Sequence, residues 1–286
     1  GGGGTYELVG ALGLTFNNFP LRNVPNLKEW NPLPRGDGQR LSLRLQANGR
    51  SFQSYSFSFS EPWLGGRKPH SLSISYVHSQ SRYAGLGASS YNDLNSKLKA
   101  DNISVGLGRA LEWPDNYFTL TNSLGYAVYT LKNIDYGLGC SDCSSYALTL
   151  NTTLARNSID NQMYPSQGSS IALSVTLTPP YSAFNDIDYS TATAETKNKL
   201  QEYHKWMFDV HQYLPLDNKK KLVLEAKAHF GFIGAYNKGK TGIGPFERFV
   251  LGGSGLAGGF NSFVLGKEVI GLRGYQDNQI TPPSYS

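Results

Sequence analysis

Residues 39–63 read "QRLSLRLQANGRSFQSYSFSFSEPW". Leu41, Leu43 and Leu45 fall on one side, and Arg40, Ser42, Arg44 and Gln46 on the other. Further on, Tyr55, Phe57 and Phe59 oppose Ser54, Ser56 and Ser58. Successive side chains of a strand point to opposite faces, so this period of two reads as β-structure with one apolar and one polar face. The polar face is the informative one. The two faces of a soluble sandwich divide into a hidden apolar side and a charged outer side. Here the polar side is mostly serine, with an occasional arginine.

The same alternation runs along the chain. In "SLSISYVHS", Leu72, Ile74 and Tyr76 oppose Ser71, Ser73 and Ser75. "NISVGLG", "YFTLTNSLGYAVYTL", "SYALTLNTTLA", "SSIALSVTLT", "HKWMFDVHQYL" and "KKLVLEAKAHFGF" continue it, and "TYELVGALGLTF" opens it. That makes about ten strands, with almost no helical periodicity. An apolar face that is continuous from strand to strand, backed by Ser, Thr, Gly, Asn and Gln, is how a membrane barrel reads: apolar toward lipid, small and polar toward a wet lumen. Strands of roughly 9–11 residues fit a bilayer. In lipid every backbone group needs an internal partner, so the sheet has to close. The lipid face is expected to carry Leu41, Leu43, Phe57, Phe59, Leu72, Ile74, Leu173 and Val175. Trp63, Trp113, Tyr117, Tyr203 and Tyr213 near strand ends are candidates for an interfacial belt.

Composition agrees. Charged residues are only 16% of the 286 and aromatics 13%, while mean hydropathy is −0.36. No stretch approaches the ~18 consecutive apolar residues of a spanning helix. The net charge of +5 forms no basic stripe, so no nucleic-acid partner is expected. The chain opens on "GGGGTYELVG" and stops at "TPPSYS", which reads as a piece of something longer.

From residue 62 the connections alternate between short and long. "PWLGGRKP", "EWPDN" and "LPLDNKKK" are short; "RYAGLGASSYNDLNSKLKAD", "KNIDYGLGCSDCS" and "PPYSAFNDIDYSTATAETKNKLQE" are longer. Short periplasmic turns and long extracellular loops have this signature. The first connection, "NNFPLRNVPNLKEWNPLPRGDG", is long where parity asks for a short turn. Cys140 and Cys143 in "GCSDCSS" fall in a long loop. With no second pair and no following helix, they read as a local disulfide in an oxidising compartment, with free thiols as the alternative.

Motifs of catalysis are absent or out of context. "GGSGLAGG" contains a formal G-x-G-x-x-G at Gly253, Gly255 and Gly258, with Asp277 downstream, but no helix follows it. No G-x-S-x-G or H-E-x-x-H occurs. His70, His78, His204, His211 and His229 are scattered. Glu225 and Asp209, on lumen faces, lack a companion that would complete a catalytic set. Lumenal hydrogen bonding accounts for them, and no cofactor or metal is expected.

The last long stretch, "GPFERFVLGGSGLAGGFNSFVLGKEVIGLRGYQDNQI", resembles the sixth extracellular loop of the BamA family, outer-membrane insertases with N-terminal POTRA domains. There an aromatic segment ending in two glycines leads into a V/L/I-R-G-F/Y motif. Phe246, Arg248, Phe249, Gly252 and Gly253 match the first half; Gly271, Leu272, Arg273, Gly274 and Tyr275 match the second. "FSEPWLGG" and "DNQMYPSQGSSIALSVTL" are similar to two further turn-and-strand segments of the family. The long first turn and extended loop point to a Bacteroidota-type member.

The resemblance implies an all-β fold: an antiparallel transmembrane barrel, with residues 1–286 as a single barrel-domain fragment. It implies about strands 2 to 11 of a sixteen-stranded wall plus a plugging loop over 234–286. It implies a multi-pass protein of the Gram-negative outer membrane that is not an enzyme. Its implied activity is to insert and fold other barrels by strand templating. Its implied partners are unfolded outer-membrane β-barrel clients, accessory lipoproteins and the lipid bilayer. A related POTRA–barrel translocase or secretion pore, or a passive porin, is the alternative. The resemblance also implies that Arg273 docks the loop inside the lumen against a carboxylate beyond Ser286, since a confined guanidinium needs a paired anion.

Overall fold

The computed structural model describes residues 9–25, 28, 36, 38–66, 69–83, 95–135, 138–185, 187–189, 191–237, 241, 243–252 and 268–275. Ten strands form one sheet in sequence order. They are β1 (Val9–Phe19), β2 (Gln39–Asn48), β3 (Phe52–Glu61), β4 (His70–Tyr83), β5 (Ser96–Ala110), β6 (Phe118–Lys132), β7 (Ser144–Asn157), β8 (Gly168–Leu177), β9 (His204–Pro215) and β10 (Val223–Gly234). Every neighbouring pair is antiparallel. Among the described residues β1 and β10 are not paired, so the sheet is an open stretch of wall.

Register carries the alternation across the sheet. Leu14 faces Leu43, Leu43 faces Phe57, Phe57 faces Tyr76, Tyr76 faces Ile103, and Ile103 faces Tyr126. Leu154 faces Leu173, which faces Phe208 and then Phe230. Leu12, Leu14, Ile103, Val105, Leu107, Leu124, Phe230 and Phe232 are all exposed. A continuous exposed apolar face of this extent needs a bilayer or a partner to cover it. Leu41, Leu43, Phe57, Phe59, Leu72, Ile74, Leu173 and Val175 all lie on this face by register. Phe59 is nonetheless buried, with Leu41 and Ile74 as its cross-strand partners.

The inner face is built from small residues where the wall curves. A Cβ on Gly106 would lie 2.6 Å from Ser73 Oγ, one on Gly108 2.5 Å from Ser71 Oγ, and one on Gly125 2.6 Å from Thr149 Oγ1. Curvature crowds the concave side, and glycine opposite a hydroxyl residue relieves it. Hydroxyl and amide pairs tie the same face: Ser75–Ser104 at 2.7 Å, Thr153–Ser174 at 2.9 Å, and Asn151 Nδ2 to Thr176 Oγ1 at 2.7 Å.

One rim holds the connections 62–69, 111–117, 158–167 and 216–222, with 20–38 as the long exception. There Arg156 Nε donates to Asp115 Oδ2 at 2.8 Å, linking two turns. Desolvation pulls the Asp115 carboxyl up, but the Tyr117 backbone amide and the Arg156 guanidinium together hold it below its usual range. The other rim holds 49–51, 84–95, 133–143 and 178–203.

Three features depart from the sequence reading. A short helix, α1 (Ala194–Lys199), interrupts the connection 178–203, capped by Thr193 Oγ1 accepting from Thr196 N at 3.3 Å. Two short strands, β11 (Phe249–Leu251) and β12 (Glu268–Ile270), pair in parallel within the final loop. The lumen is not uniformly polar: Leu98, Ala100, Ala127, Tyr129, Leu131 and Ala147 form a buried apolar cluster with Leu138 and Phe246. The core of this chain therefore sits inside the wall, beneath the loop. Cys140 and Cys143 are joined by a disulfide and pack half-buried against that cluster.

Candidate functional site

The candidate site is where the loop after β10 turns back onto the inner wall. Phe246 is 0% exposed and stacks on Tyr129, with centroids 4.0 Å apart and planes 8° from parallel. Tyr129 stands on the inner face of β6 opposite Ala100 and Ser145. Both partners are too small to shield it, so a ring from the loop fills the space. Phe249 lies over Gly231 of β10, where an added Cβ would come 2.5 Å from its ring. Gly244 lies against the Gln201 amide so closely that a Cβ there would collide with it. Gln201 is itself fixed by Ser145, with Nε2 donating to Oγ at 2.5 Å.

Charge is buried with these rings. Lys205 on β9 donates to the Glu247 backbone oxygen at 3.4 Å, and its ammonium lies 4.9 Å from the Phe249 ring centroid. The Tyr129 hydroxyl donates to Glu247 Oε1 at 3.4 Å. Glu247 keeps some accessible surface as a residue, while its carboxyl sits among the Tyr129 and Tyr203 hydroxyls and the Lys205 ammonium. Desolvation dominates there and pushes the carboxyl up to about 7, although Lys205 and both hydroxyls favour the ionised form. Burial likewise drives the Tyr203 hydroxyl well above its ordinary range. Arg248 turns back on its own loop, with Nη2 donating to the Ile243 carbonyl at 2.8 Å and Nε at 3.3 Å.

The two halves of the loop motif stand differently. Phe246, Arg248 and Phe249 belong to the docked segment. Gly252 follows it, its amide donating to the Ile270 carbonyl at 3.1 Å. Gly271, Leu272, Arg273, Gly274 and Tyr275 form an exposed turn. Gly274 has φ +88°, a left-handed backbone that a residue with a Cβ adopts at a penalty. Arg273 forms no ion pair among the described residues, and Tyr275 remains 48% exposed. Gly253, Gly255, Gly258 and Asp277 lie outside the described residues.

Glu247, Lys205, Tyr129 and Tyr203 were not singled out as a site by sequence reasoning. Two of the belt candidates are corrected with them. Tyr203 is 1% exposed beneath the loop. Tyr213 points inward and donates to Glu225 Oε1 at 3.0 Å, because it shares a face with Lys205 and Asp209. Trp63, Trp113 and Tyr117 are exposed at the short-turn rim, as a belt requires. Asp209 and Glu225 are on the inner face, Asp209 bonded to His229 and Glu225 accepting from Tyr213 with His211 3.6 Å away, which fits lumenal hydrogen bonding. No group of three or more metal-ligating side chains occurs among the described residues.

Residues 35–285 match the family model described as the Omp85 superfamily domain. The chain belongs to the Omp85 superfamily. Among solved structures this Omp85 chain is similar to the crystal structure of BamA from Haemophilus ducreyi lacking POTRA domains 1-3. The identity is 19% and the TM-score 0.54, covering 82% of this chain and 40% of that one. The likeness is one of fold, and the chain spans well under half of that protein. Family and fold together make the ten-stranded sheet part of an outer-membrane β-barrel wall, with the apolar residues exposed on one face and Phe246 docked on the other.

Proposed function

We propose that the protein of which this Omp85 wall is part folds and inserts other β-barrel proteins into the outer membrane. The observation that carries this reading is the loop docked inside the wall through Phe246, Glu247 and Phe249, beside a freely presented "GLRGY" turn. A passive pore keeps a polar, water-filled interior, whereas here the loop docks on the inner wall through a buried aromatic cluster. The working principle is backbone pairing: a strand edge of the complete barrel templates the incoming strand by β-augmentation. No covalent step and no cofactor take part, and the protein is not an enzyme. Its partners are unfolded barrel clients, accessory lipoproteins and the bilayer. Arg273 is assigned the second loop contact, to a carboxylate of the wall beyond Ser286.

The test is reconstitution of the full-length protein in lipid vesicles with a denatured small barrel protein as client. Faster appearance of the heat-modifiable, folded client than in protein-free vesicles is the expected result. Transfer of a soluble passenger across the membrane without client folding would instead identify a translocase. Solute efflux with neither activity would identify a pore.

A further inference from the structure

The outward face carries a row of cations at its long-loop end that the barrel reading does not use. Arg82 of β4 faces Lys97 of β5, and Lys97 faces Lys132 of β6. Lys99 is one pleat below, facing Gln80 and Thr130. These positions share parity with Tyr76, Ile103 and Tyr126, so they lie on the lipid side of the wall. Lys99 and Lys132 are exposed, and Arg82 and Lys97 are partly so.

Like charges directly opposite on neighbouring strands repel. Among the described residues the one carboxylate in electrostatic reach is Asp101, whose charge acts on Lys99 alone of the four. Asp101 is the one acid on the outward face of β4, β5 and β6 among the described residues, and it is already engaged. His78 Nδ1 lies 2.7 Å from its Oδ1, and the Tyr76 hydroxyl donates to the same oxygen at 2.8 Å. None of the four cations forms an ion pair among the described residues. The Gln80 amide oxygen accepts from Arg82 Nε at 2.9 Å in the orientation that satisfies both groups. That bond aims the guanidinium without neutralising it.

Depth identifies the missing anion. Arg109 marks the opposite charged edge of the same face of β5, with Leu107, Val105 and Ile103 and then Asp101, bonded to His78 and Tyr76, before Lys99 and Lys97. Lys97 and Arg109 are twelve residues apart. At about 3.4 Å per residue and a tilt of about 40°, that is about 30 Å of depth. The hydrocarbon core is also about 30 Å thick. Arg82, Lys97 and Lys132 thus meet the membrane at headgroup level on the side of the long loops. In the outer membrane that leaflet is made of phosphorylated glycolipid.

We infer that Arg82, Lys97, Lys99 and Lys132 bind the phosphate groups of an outer-leaflet glycolipid headgroup. The cross-strand register sets three cations side by side, so one headgroup bridges β4, β5 and β6 and removes their mutual repulsion.

The experiment uses the full-length protein in phosphatidylcholine nanodiscs containing diphosphoryl lipid A or its dephosphorylated form. Retained lipid is measured by mass spectrometry. Wild type should hold the diphosphoryl form at least several-fold better. The triple variant Lys97→Gln, Lys99→Gln, Lys132→Gln should retain it about tenfold less or worse. The corresponding Lys→Arg triple variant should retain it. The triple variant Lys219→Gln, Lys220→Gln, Lys221→Gln, at the other rim, should be indistinguishable from wild type. Equal retention of the two lipid forms by wild type overturns the proposal with no variant needed. So does unchanged retention in the first variant, or equal loss in the Lys219–Lys221 variant. Added inorganic phosphate should not displace the lipid; displacement at modest concentration would mean the row binds any phosphate rather than a headgroup.

Discussion

Phe246 and Glu247 are neighbours in sequence that face opposite demands. Phe246 is wholly buried against Tyr129, and truncating such a ring removes about 3–5 kcal/mol of packing in a core. Phe246→Ala is therefore expected to release the loop while the ten-stranded wall stays paired. Limited proteolysis of the full-length protein should show new cleavage near 241–252, and unchanged protection would refute the role. Glu247 makes docking pH-dependent. Its carboxyl is raised from 4.5 to about 7 when docked, so the docked loop holds an extra proton between those values. The loop is then most strongly held below about 4.5, and this contribution is lost as pH rises through 7. The stabilisation at stake is at most about 3–4 kcal/mol, since one pKa unit is about 1.4 kcal/mol. Spin labels on the loop and on β6 should report tighter distances at pH 5.5 than at pH 8.5. Glu247→Gln should flatten that dependence; a wild-type loop indifferent to pH would rule the coupling out.

β10 and the loop segment that follows it are matched surfaces. Phe230 and Phe232 of β10 face outward and are exposed, while Gly231 between them leaves the inner side bare for Phe249. A glycine in a strand interior weakens that strand, and here the gap is filled by a ring from the loop. Gly231→Ala should leave the β9–β10 ladder paired yet displace Phe249, and with it the Lys205 cation–π contact. The expected effect is loss of loop protection with the melting of the barrel unchanged. A variant whose loop stays as protected as wild type would show that the ring adapts without cost. α1 has a similar supporting place: Asn198 Nδ2 donates to the Leu138 carbonyl at 3.1 Å, and Ser145 Oγ donates to the Asn198 carbonyl at 2.7 Å. Those bonds hold the disulfide loop and the rim of β7 together above the buried cluster.

Across the whole wall one face is apolar and outward, and the loop meets the other face over β5 to β10. Ile103 lies in the middle of the outward face. Ile103→Lys in the full-length barrel should lower its unfolding free energy in bilayers by about 2–4 kcal/mol, the range for a lysine at the midplane. Urea titration in lipid vesicles measures this. A loss near zero would place Ile103 off the lipid surface and contradict the orientation of the entire sheet.

Alternation of one residue in, one residue out is a local property, and so the strands β1 to β10 and the lipid face of Leu43, Ile74 and Leu173 could be read from the chain. Loop lengths likewise marked the two rims, and "ERFVLGG" with "GLRGY" marked the loop. Which residues inside the wall touch that loop was not legible. Tyr129, Lys205 and Glu247 are 42 or more positions apart where they meet, and nothing in their own neighbourhoods sets them apart from other strand or loop residues. Tyr203 read as a belt aromatic because a strand-end tyrosine serves either side of a membrane wall equally well. Its burial follows from the chain turning inward at Gln201, Glu202 and Tyr203, a turn set by contacts with Ser145, Ser182 and Thr178. Periodicity specifies the face a side chain occupies. What covers that face is specified by packing between segments distant in sequence, because burial is a property of the neighbours as much as of the residue.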